Sequence, residues 1–443
     1  TFPDMGGEEM DFSELTPNAA EYVERFQKDG APLQYTANLF LEKDLYDQTF
    51  RHLSFVTDYD GYLKQIEQNA EQMQSISIFS DENSFTYRNS EKTVEAYRPL
   101  YGTQTRYGPS YGIVSATGNT ATNFALAAFV LVATLYLLVS QKSSGMLLIV
   151  RTSRYGRWKF IAAQLCAIVL VCIGATVLFV GGNLIAGAAQ FGLGDLSRPI
   201  QSVVGFTGCV LRVNAWQYLV LFMALKAAAL VAVAMLTAFL CMAAKSDAFI
   251  LLTAGAIAVG EGLLYVVISP LSVMSLLKYA NLAAVLDTNG ILRQYTNINF
   301  FSFPIDLRLV SLLMIAVCMV LFAAAAIYWY VRRGALQWSG GKFAELLIRL
   351  NPLRRCAPMS LLYHETYKLL IANKVLVLLA ALAVIQVWHY DTYRRPYDPE
   401  DAVFKSYAEQ VAGMELDEVR DFIETEQLRF DALMQKQADI GVQ

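Results

Sequence analysis

The chain has 443 residues, of which 55% are hydrophobic and only 17% charged, and its mean hydropathy is +0.37. Soluble domains carry about 25% charged residues, and disordered chains combine low hydrophobicity with high net charge, so this composition excludes both. The formal net charge of −4 is a sum over unlike regions: residues 1–121 hold 19 Asp+Glu against 9 Lys+Arg, residues 389–443 hold 13 against 6, and only seven acidic residues lie between. A basic surface for nucleic acid is absent.

In chain order, the acidic segment 1–121 reads as a helical domain outside the bilayer. Tyr59, Tyr62, Leu63, Ile66, Ala70 and Met73 keep the i, i+3, i+4, i+7 rhythm of an amphipathic helix. A bilayer core about 30 Å thick needs roughly 20 apolar helical residues, and six stretches supply them: Thr122–Ser140, Phe160–Gly194, Asn214–Ala244, Ala248–Ser269, Leu309–Val331 and Leu369–Trp388. The second stretch is too long for one span, and its Gly181-Gly182 pair predicts a helix end near Val180 with a Gly-rich or re-entrant remainder. Lys374, near one end of the sixth, is placed to snorkel. After it, Leu416, Val419, Ile423, Phe430 and Leu433 repeat the amphipathic pattern.

The expected fold class is therefore all-α, a polytopic membrane protein with six visible transmembrane helices and mainly helical extracellular domains. Its parts are an extracellular helical domain (1–121), a five-helix transmembrane domain (122–331), a cytoplasmic basic linker (332–368), a sixth span opening a second half (369–388), and the start of a second extracellular helical region (389–443). Within 122–331, 141–159 is a cytoplasmic loop, and 195–213 and 270–308 are outer loops. Orientation follows from Lys142, Arg151, Arg154, Arg157 and Lys159 in the first connection and the Lys/Arg-rich 332–368, since cytoplasmic loops carry the basic excess. That topology puts residue 1 outside with no upstream span to deliver it, so the reading expects a further N-terminal span. The predicted location is a cell membrane, multi-pass, with the lipid bilayer as surroundings and residues 1–121 and 389–443 extracellular.

The loop from Gln141 to Arg157 has more pattern than basic anchoring needs. Apolar residues 146–150 between glycines predict a short helix lying at the inner interface. Gly145, Leu147, Leu148, Thr152, Gly156 and Arg157 resemble the first cytoplasmic loop of the permeases of type 2 ATP-binding-cassette (ABC) exporters, although that family's Glu is missing and Gln141 stands nearby. Ser77-Ile78-Phe79, Asn89-Ser-Glu-Lys92-Thr93, Leu277-Lys278-Tyr279-Ala-Asn281-Leu, Asn297-Ile-Asn299-Phe and Glu415–Phe430 extend the resemblance to a group of large permeases of Gram-positive bacteria. The resemblance implies a membrane permease subunit of an ABC exporter for a peptide or lipid-like amphipathic substrate. It also implies a docking loop carried by Gly145, Arg151, Thr152, Gly156 and Arg157 for an ABC ATPase subunit, itself a dimer. ATP and Mg would sit on that partner, with no cofactor in this chain. The alternative is an ATP-driven signalling or mechanotransmission protein that transports nothing and acts through its extracellular domains.

No Gly-X-X-X-X-Gly-Lys-Ser/Thr phosphate loop occurs, since Gly340-Gly341-Lys342-Phe343 lacks the spacing and the hydroxyl. His52, His364 and His389 have no nucleophile signature beside them, so no catalytic residue is expected and the chain reads as no enzyme. The six cysteines form no CxxC, and neither sulfur nor histidine offers a metal set. Two ionisable residues interrupt the spans, Lys226 and Glu261, and intramembrane charges are functional candidates by default. Counted from a turn near Ser246, their offset is about 7–8 Å of helix rise. They are either an ion pair, for structure or for proton and substrate handling, or two separately placed charges. The aromatics Tyr101, Tyr107, Tyr111, Phe300, Phe301 and Phe303 read as substrate contacts or as interface and domain packing.

Overall fold

A computed structural model describes residues 43–44, 46–47, 50, 56, 58–76, 81–143, 146–244, 247–270, 272, 274–332, 361–372, 375–392 and 406–442. The chain divides into two compact units, Tyr59–Arg395 and a smaller one made of Thr1–Asp58 with Pro396–Gln443. The division falls inside the 1–121 segment. In the smaller unit the C-terminal helix Leu416–Val442 buries Val419 and Phe430. The rings of Tyr46 and Phe430 lie 4.4 Å apart, and the Tyr46 hydroxyl donates to the carbonyl of Ile423.

Among its described residues the larger unit is all-α apart from one two-stranded hairpin. Its first helices are α1 (Tyr59–Ser75) and α2 (Phe85–Tyr97), and α1 buries Tyr59, Leu63 and Ala70 and half-buries Tyr62 and Ile66, as the periodicity predicts, whereas Met73 at its end is 39% exposed. Helix α2 starts where the Ser84 side chain accepts from the amide of Tyr87, satisfying one of the orphan donors of a helix N-terminus. Then follow α3 (Tyr111–Gly118), α4 (Thr120–Ser143), α5 (Met146–Thr152), α6 (Trp158–Phe191), α7 (Ala215–Ala243) and α8 (Asp247–Val267). Three short helices come next, α9 (Ser275–Tyr279), α10 (Leu282–Leu286) and α11 (Thr288–Arg293), before the hairpin β1 (Asn297–Phe300) and β2 (Phe303–Asp306). Helix α12 (Leu307–Arg332), α13 (Leu361–Tyr367) and α14 (Val375–Thr392) complete it.

Among the described residues, five helical stretches are long and apolar enough to cross a membrane: Tyr111–Val139, Trp158–Phe191, Ala215–Ala243, Phe249–Val267 and Leu307–Arg332. A sixth is counted if Leu361–Ile371 and Val375–Val384, which meet at a 46° bend, form one span. The protein is thus a multi-pass, helical membrane protein. Helix α7 is the centre of the bundle, burying Tyr218, Phe222, Leu230, Ala234 and Ala238 among others. Helix α8 is its opposite, with Leu252, Val259, Leu263, Val266 and Val267 all exposed from the chain.

The expected helix end near Val180 is overturned, because α6 runs unbroken to Phe191. A Gly pair removes side chains but not the amide donors and carbonyl acceptors that carry the helix, and a water-free environment penalises every backbone group left unpaired. The glycine with a visible task is Gly187. A Cβ there would lie 2.6 Å from the carbonyl oxygen of Gly112, and a Cβ on Gly112 would meet Gly187 and Gly192 in turn. Helices α3 and α6 cross with their backbones touching, as small residues permit in membrane bundles.

Both ends of the bundle are closed by polar contacts. At the hairpin end, Tyr97 donates to the carbonyl of Gly208 at 2.8 Å, Lys92 to that of Pro304 at 2.7 Å, and Asn297 to the Asn89 side chain at 2.9 Å. Arg198 is fully buried there, donating to the Pro109 carbonyl at 2.5 Å and the Ser110 hydroxyl at 3.1 Å, and burial holds its guanidinium down at about 10. At the opposite, basic end lie α5 and the turn into α6.

Candidate functional site

The structure brings the sequence-predicted residues to two places. The first is inside the bundle. Residues 270–308 connect α8 to α12, and part of this stretch folds back between the spans. Leu282 packs with Ala232 of α7 and Cys318 of α12, which lie about 25 Å and 16 Å along their helices from Ala215 and Leu307 at 1.5 Å per residue. Such short, broken helices leave free amides and carbonyls at every end, and at membrane depth these are tolerated only when the protein itself satisfies them.

Lys226 and Glu261 do that work. The Glu261 carboxylate accepts from the amide of Leu282, the first residue of α10, at 3.2 Å. The Lys226 ammonium donates to the carbonyl of Leu286, the last residue of α10, at 2.5 Å, and to the Asn123 side chain of α4 at 2.8 Å. Lys226 is 1% exposed, and the Phe222 ring lies 5.6 Å from its nitrogen. The two charges therefore do not meet as an ion pair. They grip opposite ends of one five-residue helix, an anion at its N-terminus and a cation at its C-terminus, which is the arrangement the helix dipole favours.

Neighbouring contacts repeat the principle. Asn281 caps α10 by accepting from Ala284 at 2.6 Å, and Asp287 caps α11 by accepting from Gly290 at 3.1 Å. Lys278 donates to the carbonyls of Tyr265 and Ile268 at the C-terminus of α8, at 2.7 and 3.0 Å. The Tyr265 hydroxyl reaches Asp287 at 3.3 Å. Segment 275–293 is thereby fastened to α4, α7 and α8 without any charge left over for a ligand.

The second place is the basic end. Arg151, in the last turn of α5, lies 4.7 Å over the ring of Tyr330 in the last turn of α12. The Tyr330 hydroxyl donates to the carbonyl of Gly156 at 2.9 Å. Gly156 is buried, and a Cβ there would run into the carbonyl of Val150, so the turn between α5 and α6 needs glycine. Thr152 folds back, donating to the carbonyl of Ile149 at 2.7 Å. One side of this loop is thus fixed. The other carries Ile149, Tyr155 and Trp158, which are 75%, 50% and 58% exposed, interleaved with exposed Arg154, Arg157 and Lys159. The Lys159 nitrogen sits 4.9 Å from the Tyr155 ring, so cations and rings form one continuous patch. Gly145, Ser77–Phe79, Lys374 and 333–360 lie outside the described residues.

Beneath the loop is a buried carboxylate that sequence reading treated only as part of a basic linker. Glu365 of α13 is 1% exposed, accepts from Gln164 of α6 at 3.4 Å and lies 3.9 Å from the Lys368 nitrogen. Its signal in the sequence was a lone acid in Leu361-Leu-Tyr-His-Glu-Thr-Tyr-Lys-Leu-Leu370. Asn123 and Arg198 were also missed: one polar residue in an apolar run, and one arginine in a loop.

The aromatics divide. Tyr107 and Tyr111 belong to the packing around α3, whereas Phe301 and Phe303 at the hairpin tip are 72% and 58% exposed. Among the described residues no group of His, Cys, Asp and Glu is arranged to hold a metal ion. Compared with family models, with curated proteins and with solved structures, the chain matches none.

Proposed function

We propose that this protein is the permease subunit of an ABC exporter, driven by a separate ATPase that docks on the basic end. The observation that carries the reading is the two-sided loop 146–159. Arg151 and Gly156 are held against Tyr330, and the opposite side presents rings and cations to solvent. Aromatic and arginine side chains on a fixed backbone are the composition of an interaction hot spot, and the connection from Tyr330 into α12 gives a partner's movement a path into the spans. A peptide or lipid-like cargo suits the apolar bundle, with residues 1–121 and 389–443 on the extracellular side.

A second reading has an observation in its favour. The backbone-to-backbone crossing of Gly112 and Gly187 is a close-packed seam, which suits a protein that transmits motion to its external parts rather than one that opens a path. Affinity purification of the tagged full chain in mild detergent, with mass spectrometry and an ATPase assay, tests the first reading. A nucleotide-binding subunit should co-purify and be lost in Arg154→Glu/Arg157→Glu, two exposed positions whose change leaves thermal stability within about 0.5 kcal/mol. Purification of the chain without an ATPase breaks the reading. ATP-dependent movement of labels across the bundle without transport into vesicles selects the second.

A further inference from the structure

Apart from these two places, the bundle carries a groove of about 580 Å3, inside the roughly 300–1,000 Å3 range of small-molecule sites. It runs between α7 and α12 at their hairpin ends. Leu225 and Ile291 form its floor, 6% and 3% exposed, and Leu309, Leu312 and Leu313 form its lip, 58%, 56% and 63% exposed. The lip belongs to a membrane-spanning helix, so the groove opens sideways, toward hydrocarbon. A ligand with amides or hydroxyls along its length would leave them unbonded against this wall, at a cost of a few kcal/mol each. A hydrocarbon chain has nothing to lose there.

The end of the groove is different. Arg308 and Asp306 line it as an ion pair, Nη2 to Oδ2 at 2.5 Å, with Nε on the same carboxylate at 3.0 Å. Asp306 therefore takes one edge of the planar guanidinium, and the outer Nη1 edge remains. Arg212 and Arg293 follow the lining residues Leu211 and Leu292 in the chain, and Arg212 is exposed. Arg293 is committed elsewhere, its Nε donating to the Gly205 carbonyl at 2.5 Å. Arg308 and the exposed Arg212 against one carboxylate still give this end a positive excess, and Arg presents the fork that suits a phosphate.

We propose that this groove holds one acyl chain of an anionic bilayer phospholipid, with its phosphate at Arg308 and Arg212. The site requires only that the chain spans a membrane; it is independent of the ATPase-docking reading and stands or falls separately from it. A resident lipid here wedges between α7 and α12, the central span and the one that carries Tyr330 in its last turn.

The test uses the purified full chain in nanodiscs doped with phosphatidylglycerol or phosphatidylcholine bearing a photoreactive group on the acyl chain, with labelled peptides mapped by mass spectrometry. Phosphatidylglycerol should label residues around 221–225 and 309–313 in preference to the exposed face of α8. Leu312→Trp, a lip position that tolerates size, should lower that labelling about tenfold, the factor that about 1.4 kcal/mol of lost binding produces. Val320→Trp, 71% exposed on the same helix but outside the groove, should leave it unchanged. Arg308→Gln should erase the preference for phosphatidylglycerol. Uniform labelling of all exposed faces, equal labelling by phosphatidylcholine, or chain-to-chain crosslinks at the lip from a second copy would each overturn the proposal.

Discussion

The two regions that hold this protein's conspicuous charges use them in opposite ways. Around α10, Lys226 is buried and Glu261 half-buried in the bundle, and both are consumed there: a carbonyl, an amide and one side-chain amide take what they offer. At the basic end, Arg151 is held on a ring while Arg154, Arg157 and Lys159 stay exposed among aromatics. A charge within an apolar span invites a functional reading because it is costly, yet here that cost is offset by closing the ends of a re-entrant helix. The charges that look ordinary, Arg154, Arg157 and Lys159 on a loop, are the ones left at the surface. What a charge does follows from the backbone groups that would otherwise be unsatisfied around it.

Breaking the interior clamp should give the largest effect. Lys226→Met strips Leu286 of its donor and should lower stability by about 2–4 kcal/mol, since hydrogen bonds to charged groups are strong and their loss strands the partner. Thermal unfolding of the purified protein in detergent checks this. Glu261→Gln keeps an acceptor for Leu282 and should cost about 1 kcal/mol. Because both residues act on α10, the double variant should fall short of the sum by at least about 0.5 kcal/mol. Strict additivity would mean that the two ends of α10 are held independently and the clamp is no unit.

The basic end should respond more weakly and in a different observable. Tyr330→Phe removes one hydrogen bond to Gly156, about 1 kcal/mol, and keeps the ring under Arg151. Global unfolding should hardly move, while amide exchange across 150–157 should accelerate. A large drop in global stability instead would place this loop with the clamp as internal structure, and would remove the contrast.

The smallest effect concerns polar contacts that carry no charge. Tyr59 and Tyr97 donate to the carbonyls of Thr207 and Gly208, and burial pushes both phenols well above the usual tyrosine range. A folded-state pKa raised above the unfolded value of about 10 means that their stabilisation is complete below that pH. It is lost progressively above it, as the unfolded chain ionises first. An alkaline titration by tyrosinate absorbance should show a group of late-titrating phenols that shrinks by one in Tyr59→Phe and by one in Tyr97→Phe. If all the tyrosines titrated together, α1 and α2 would not be seated on 207–208 in solution.

Much of this was legible from residue order. Twenty-residue apolar runs can be satisfied in a bilayer only as helices, so the number and places of the spans follow from hydropathy, and the rhythm from Tyr59 to Met73 fixes which face of α1 is buried. The short helix after Gly145 was also visible, in an apolar run framed by glycines. The Gly181-Gly182 break was misread, because glycine lowers helix propensity in water, where the backbone has another partner, and that partner is missing in the bundle.

The fate of individual charges was decided elsewhere. Helix rise alone set Lys226 and Glu261 near one level but left their facing open, and no periodicity announces that Leu282–Leu286 returns between the spans to stand between them. Glu365 and Tyr330 are close to the loop only because α6, α12 and α13 converge at the basic end. Local sequence determines which segments are apolar enough to leave water, since that depends on the side chains of one stretch. Which polar atoms satisfy one another depends on groups distant in the chain, 201 residues apart for Gln164 and Glu365 and 212 for Lys92 and Pro304, and only the packed bundle brings them within a hydrogen bond's length.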